Sequence, residues 1–176
     1  MVARDRGEFA EFVAARSTAL HRAAYLMVGD VSLAQDLVQE ALTKTYVAWP
    51  RLRDKANAEA YTRKAITTTA ITWFRRKRWS HELSSDTPPD AGAPGHDDAV
   101  TQSAWLWAAL LELPVRQRAA IVLRYYEDLT EAQTADAMGC AVGTVKSQVS
   151  AGLSKLRERL GDDADLLPLT DLVVTR

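Results

Sequence analysis

Between Val142 and Leu160 the chain sets out side chains suited to the edge of a nucleic-acid groove. Thr144, Lys146, Ser147, Gln148, Ser150 and Lys155 fall on one side of a helical repeat, and Val142, Val145, Val149, Leu153, Leu156 and Leu160 form its apolar stripe. Hydroxyls, an amide and ammonium groups hydrogen-bond base edges and phosphates without blocking entry to the major groove. A surface built only for solubility would use Glu and Lys, which form helix more readily than Ser and Thr. The residues just upstream supply what a helix pair needs to present such a face. Thr130 and Gln133 have capping-box spacing, Ala135 is small enough for a helix crossing, and Gly139 tolerates a left-handed turn. The apolar contacts locking the pair fall to Met138, Cys140, Val145 and Val149. The pattern predicts a helix-turn-helix. An ordinary helical hairpin with a soluble outer face is the plain alternative.

A second set of residues could grip a polyanion. Residues 51–79 hold nine Lys and Arg against Asp54 and Glu59, a local balance of +7 hidden in a net charge of −1. Arg75, Arg76, Lys77 and Arg78 alone could be a solvated helix end, where cations complement the dipole. Together with Arg51, Arg53, Lys55, Arg63, Lys64 and the aromatic Trp79 they suit a nucleic-acid backbone. A third face, Asp36, Gln39, Glu40 and Thr43, is polar and acidic, so it would repel DNA. It is either a solvated surface or a protein-docking one.

Catalysis finds little support. His21, His81 and His96 show no metal spacing, and no nucleophile elbow, phosphate loop or zinc motif occurs, so neither metal nor cofactor is expected. Cys140 is the only cysteine and reads as a packed turn residue. A lone thiol fits a reducing cytoplasm. The N-terminal residues lack a signal-peptide core, and the apolar run 104–111 is too short to cross a membrane.

The elements that must position these residues are helical. The chain has 176 residues, 47% hydrophobic, with 8 Gly and 6 Pro, too few for a turn-rich β architecture. The first helix is expected to carry Phe9, Phe12, Val13, Leu20, Ala23 and Met27 and to stop at Gly29-Asp30. A second starts at a Ser32–Gln35 capping box, follows Leu33, Leu37, Val38, Ala41, Leu42, Thr45, Tyr46 and Trp49, and closes at Pro50. After a loop at 51–57, a third runs over 58–79 with Tyr61, Ala65, Ile66, Thr69, Ala70 and Trp73 inward. Residues 80–101 gather Pro88, Pro89, Pro94, Gly92, Gly95 and five acidic residues, the composition of a flexible acidic linker. Beyond it come a helix with Leu106, Ala109, Leu110 and Leu113 inward, another over 115–127 with Ile121, Val122 and Tyr125 inward, and the helix-turn-helix. The expected fold is all-α: two small helical domains, 1–79 and 102–160, with a C-terminal tail at 161–176 taken as disordered.

Three strings carry a family resemblance. QDLVQEALTKTY at 35–46 and ITWFRRKR at 71–78 resemble region 2 of the extracytoplasmic-function (ECF) group of bacterial RNA polymerase sigma factors, in the sigma-70 family. The stretch 113–160, with GTVKS at 143–147, resembles their region 4, and the sigma-E-like actinobacterial type is the nearest in character. The resemblance implies that Asp36, Gln39, Glu40 and Thr43 dock on the clamp of core RNA polymerase. It implies that Arg53, Lys55, Asn57, Arg63, Lys64, Arg75 and Arg76 hold the unwound minus-ten element. Thr144, Lys146, Ser147, Gln148, Ser150 and Lys155 would contact the minus-thirty-five element of promoter DNA. The linker would thread towards the polymerase active-centre channel. An anti-sigma factor is a further partner that the sequence leaves open. Small Ser150 and Ala151, and Cys140-Ala141 in the turn, depart from the family pattern and bear on which promoter is read. Two other readings stand beside this one: a free-standing helix-turn-helix regulator with an N-terminal sensor domain, and a helical scaffold with no nucleic-acid role.

Overall fold

A computed structural model describes residues 2–52, 54–81 and 98–161. Seven α-helices make up most of it: α1 (Val2–Val28), α2 (Val31–Ala48), α3 (Lys55–His81), α4 (Asp98–Glu112), α5 (Val115–Ile121), α6 (Glu131–Met138) and α7 (Val142–Leu160). A 3₁₀ turn at Trp49–Arg51 follows α2, and a π-helical segment at Val122–Tyr126 continues α5. No strand occurs among the described residues. The expected linker lies outside them over 82–97, and both of its edges are helical; the tail lies outside them over 162–176.

In the first block α1, α2 and α3 pack on one another. Gly29, at φ 77°, turns the chain between α1 and α2. The cap of α2 is not the Ser32–Gln35 box: Asp30 is the N-cap, its Oδ1 accepting from the Leu33 amide at 2.8 Å. An aspartate placed directly after the left-handed glycine reaches the free amides of the first turn before Ser32 can. At the far end Trp49 is buried with Phe12 and Ala58, its ring 5.1 Å from Phe9 and 5.4 Å from Phe12.

Helix α3 buries more of its circumference than one amphipathic stripe allows. Ile66 and Ala70 are buried as expected, but Tyr61 is exposed while Thr62 and Thr67 are buried completely. The reason is that α3 has neighbours on two sides, α1 and α2 on one and α5 and α6 on the other. The buried Thr45 and Thr62 hydroxyls lie 2.8 Å apart, and each is also within bonding distance of a carbonyl of its own helix, Ala41 and Ala58. Two polar groups are thus buried at the α2–α3 contact at little cost.

In the second block Leu106, Ala109, Leu110 and Leu113 are all buried, as the spacing predicts. The stretch 115–127 is not one α-helix. The Glu127 amide donates to the Val122 carbonyl at 3.0 Å, an i→i+5 bond, and Tyr125 turns outward while Leu123 is buried. Thr130 and Gln133 form both arms of the capping box, at 3.2 and 2.9 Å, and Gly139 ends α6 at φ 63°. On α7 Val145, Leu156 and Leu160 are buried; Val142, at the mouth of the turn, is exposed. Gly152 is buried against Ile121, whose Cδ1 would lie only 2.6 Å from any β-carbon there.

The two blocks, expected as domains joined by a tether, share among their described residues a single apolar core that runs from Leu20 and Leu37 through Ile66 and Ala70 to Leu110, Ile121 and Leu156. Tyr25 of α1 stacks on Trp107 of α4 with centroids 5.0 Å apart, and Leu111 fills the space beside Gly29.

Candidate nucleic-acid interface

The outer face of α7 is built from below by its buried stripe. Val145 is fully buried between the two helices of the motif, so Thr144 and Lys146 on either side are turned to the rim. Ser147, Ser150 and Lys155 are exposed, and Thr144 and Gln148 half-buried, so all six residues read from the sequence fall on this rim or outer face. The Ser147 hydroxyl donates to the Thr144 carbonyl at 2.9 Å, a bond that base or phosphate can compete for. Lys146 has one loose partner, Glu131 of α6 at 3.5 Å. The open face is therefore small, polar and weakly cationic.

The cations of α3 are placed differently. Arg75 and Arg76 are exposed, as is Asn57, which lies in the first turns of α3 rather than in a loop. Arg53, and the side chain of Lys55, lie outside the described residues. Arg63 is largely covered: its Nε donates to Glu127 Oε2 at 2.9 Å and its Nη2 to Glu59 Oε1 at 3.0 Å. Glu59 also meets Arg16 at 3.3 Å. Lys64 donates to Asp136 Oδ1 of α6 at 2.9 Å. Two of the residues singled out for phosphate thus hold carboxylates of the second block.

The face of α2 is open. Asp36, Gln39 and Thr43 are exposed and Glu40 half-buried, one turn apart along the helix. Glu40 pairs with Lys44 at 2.7 Å, and Lys44 reaches Thr69 of α3 at 3.3 Å. Val31, Leu33 and Val47 are exposed along the same helix, so the surface mixes acid, amide and aliphatic groups as protein-binding surfaces do.

Between the blocks sits a residue the sequence reading passed over. Arg118 of α5 is only 4% exposed and lies 5.5 Å from the centre of the Phe74 ring of α3. Its Nε has no hydrogen-bond partner, nor have the nearby-in-sequence Gln117 Oε1 and the buried Thr134 Oγ1 of α6. Burial lowers its pKa to about 10, still above neutral pH, so the group stays cationic where charge is costly. Spacing could have revealed it, since 118 lies three and four residues before the inward Ile121 and Val122. Tyr126 is raised by burial above the usual phenol value, with Arg22 of α1 pulling the other way through its charge and a hydrogen bond.

Among the described residues no group of His, Cys, Asp or Glu could hold a metal ion, and no helix is long and apolar enough to cross a membrane.

With this geometry in place the comparisons are specific. Residues 12–80 match the Sigma-70 region 2 family model and residues 103–156 match that of Sigma-70, region 4. The RNA polymerase sigma-E factor of Streptomyces avermitilis is 38% identical over 153 residues, 87% of this chain and 85% of that protein. Its counterpart in Streptomyces coelicolor is also 38% identical, over 87% and 86% of the two chains. The ECF RNA polymerase sigma factor SigW of Bacillus subtilis is 26% identical over 90% and 91%. Among solved structures, the sigma factor RpoE of Bartonella quintana, in complex with the anti-sigma factor NepR, superposes with a TM-score of 0.71 at 25% identity, covering 89% of this chain and 98% of that one. The chain belongs to the sigma-70 family of RNA polymerase sigma factors, in its ECF, sigma-E-like group. The first block matches region 2, which does not favour reading it as the sensor domain of a free-standing regulator.

Proposed function

We propose that this chain is the promoter-specificity subunit that core RNA polymerase recruits to start transcription at a particular set of promoters, itself performing no catalytic step. In this reading 1–79 is the region 2 domain, 102–160 the region 4 domain, 80–101 the connection between them and 161–176 an appendage. Asp36, Gln39, Glu40 and Thr43 meet the polymerase clamp. Arg53, Lys55, Asn57, Arg63, Lys64, Arg75 and Arg76 hold the melted minus-ten strand. Thr144, Lys146, Ser147, Gln148, Ser150 and Lys155 read the minus-thirty-five duplex. The protein works in the cytoplasm, at the nucleoid once joined to polymerase, and an anti-sigma factor that separates it from polymerase is a candidate partner.

The observation that carries the reading is the division of labour between the two matched regions. Region 4 presents an open helix of small polar and basic groups, whereas region 2 carries a cationic helix beside an acidic one. Duplex reading needs the first, and strand capture next to a protein partner needs the second. The test is run-off transcription by core polymerase on promoter-bearing templates, with co-elution of the two proteins. A transcript above core alone is the expected result; no transcript together with no co-elution overturns the reading.

A further inference from the structure

The apolar stripe of α7 does not close at its first residue. Val145, Leu156 and Leu160 are buried and Val149 and Leu153 half-buried, but Val142 is 38% exposed. A valine that served only the core would be covered as Val145 is, three residues on. Val142 opens α7, and Gly139, at φ 63°, has by then ended α6. Its neighbours Ala141 and Gly143 are exposed as well. A β-carbon on Gly143 would meet nothing within 4 Å. Ala141 is the N-cap of α7 and supplies no side-chain bond to the first turn. Three successive residues at this end therefore present methyl groups and bare backbone, and no polar side chain. The polar groups begin one residue later, with half-buried Thr144 and exposed Lys146 and Ser147.

Position gives this lip a use. In a helix-turn-helix the N-terminal residues of the second helix meet base edges, while the first helix crosses the backbone. Each base pair shows the major groove a pattern of donors and acceptors with one apolar group among them, the C5 methyl of thymine. An isopropyl group satisfies no donor or acceptor. Set against guanine O6, adenine N6 or cytosine N4, it would strip water from a polar atom and leave that atom unpaired. Set against the thymine methyl, it takes two apolar surfaces out of water together. A β-branched side chain on a helix also has little rotamer freedom to lose on contact.

We propose that Val142 is a specificity-determining residue that packs on the C5 methyl of a thymine in the minus-thirty-five duplex, with Ala141 and Gly143 leaving room for the base pair to approach. The proposal rests on α7 reading that duplex. To the six residues that read it by hydrogen bond and charge it adds a seventh that selects by apolar contact.

The test uses the full chain and a pool of fluorescein-labelled duplexes randomised at their centre. The duplex bound most tightly is remade with deoxyuridine for each thymidine in turn, which removes one methyl group and keeps every Watson–Crick bond. One such replacement should weaken binding about fourfold, the worth of one methyl group taken out of water. Val142→Ala should weaken binding of the thymidine duplex by a similar factor, and deoxyuridine at that position should then cost it nothing further, as expected of two groups in contact. The salt slope should stay unchanged in Val142→Ala, since no charge is removed, whereas Lys146→Ala should lower the slope and keep the full deoxyuridine penalty. The deoxyuridine comparison alters only the DNA, so it stands even where a variant folds poorly. A preferred duplex with no methyl-dependent thymidine, or one whose deoxyuridine penalty is the same in Val142→Ala, overturns the proposal and leaves the sigma reading standing. A pool that yields no preferred duplex overturns it as well, and run-off transcription with core polymerase then decides separately whether the sigma reading survives.

Discussion

Helices α3 and α7 both carry cationic side chains, and those side chains are in opposite conditions. The Lys146 side chain is 62% exposed and pairs loosely with Glu131 of its own motif, at 3.5 Å. Arg63 is 14% exposed and held by two carboxylates, one of them 64 residues away in sequence. The α7 face needs only a short helix pair to be presented, so it is complete as soon as region 4 folds. The α3 surface is bordered by both blocks, and its availability depends on how they sit together. The difference teaches that charge counted along a sequence is not charge offered to a ligand: the +7 segment is partly neutralised by acids from region 4, whereas Lys146 of α7 stays largely exposed beside a loose partner.

The largest test of this contrast is Gly152→Val. The added side chain runs into Ile121, and overpacking of this kind costs about 1–3 kcal/mol. Thermal unfolding should shift down and duplex binding through α7 should fall with it; an unshifted Tm would mean that the α5–α7 contact yields easily. Next is Thr62→Val, which leaves the buried Thr45 hydroxyl without its cross-helix partner at about 1–2 kcal/mol. In urea titration the loss should appear on the α2–α3 side, leaving duplex affinity at low denaturant intact. Thr130→Ala removes one arm of the capping box and should cost about 1 kcal/mol, measurable as a lower urea midpoint with unchanged slope. The smallest effect is also the most direct. Lys146→Ala should reduce the salt slope of duplex binding by about 0.9, while Lys64→Ala in the free chain should leave that slope alone. Equal changes from the two substitutions would abolish the distinction between an open and an occupied surface.

Much of the architecture could be read from local pattern. The capping box at Thr130, the left-handed Gly139, the buried stripe of α7 and the inward leucines of α4 all rest on contacts within a few residues, and spacing reports such contacts. The six residues of the α7 face could be read for the same reason. Other features depend on distant chain. Thr62 and Thr67 are buried because α3 is covered from two sides, which a single-stripe reading cannot anticipate. Glu127 and Asp136 carry no local mark as partners of residues 64 and 72 positions earlier. The α2 cap was misplaced because Ser32 and Asp30 are both good caps, and the geometry after Gly29 decides between them.

The π-helical segment at Val122–Tyr126 has a consequence for inheritance. One residue more than an α-helix would use sets everything after it roughly 100° further round the axis. Glu127, the residue directly after the segment, is the one that accepts from Arg63. Loss of a single codon within the segment would keep nearly every side chain the family pattern asks for and still point Glu127 elsewhere. Substitutions there alter chemistry and leave the count intact. In this chain the register between α5 and Glu127 is written in the number of residues as much as in their kind, so a deletion at 122–126 should loosen the Arg63–Glu127 pair.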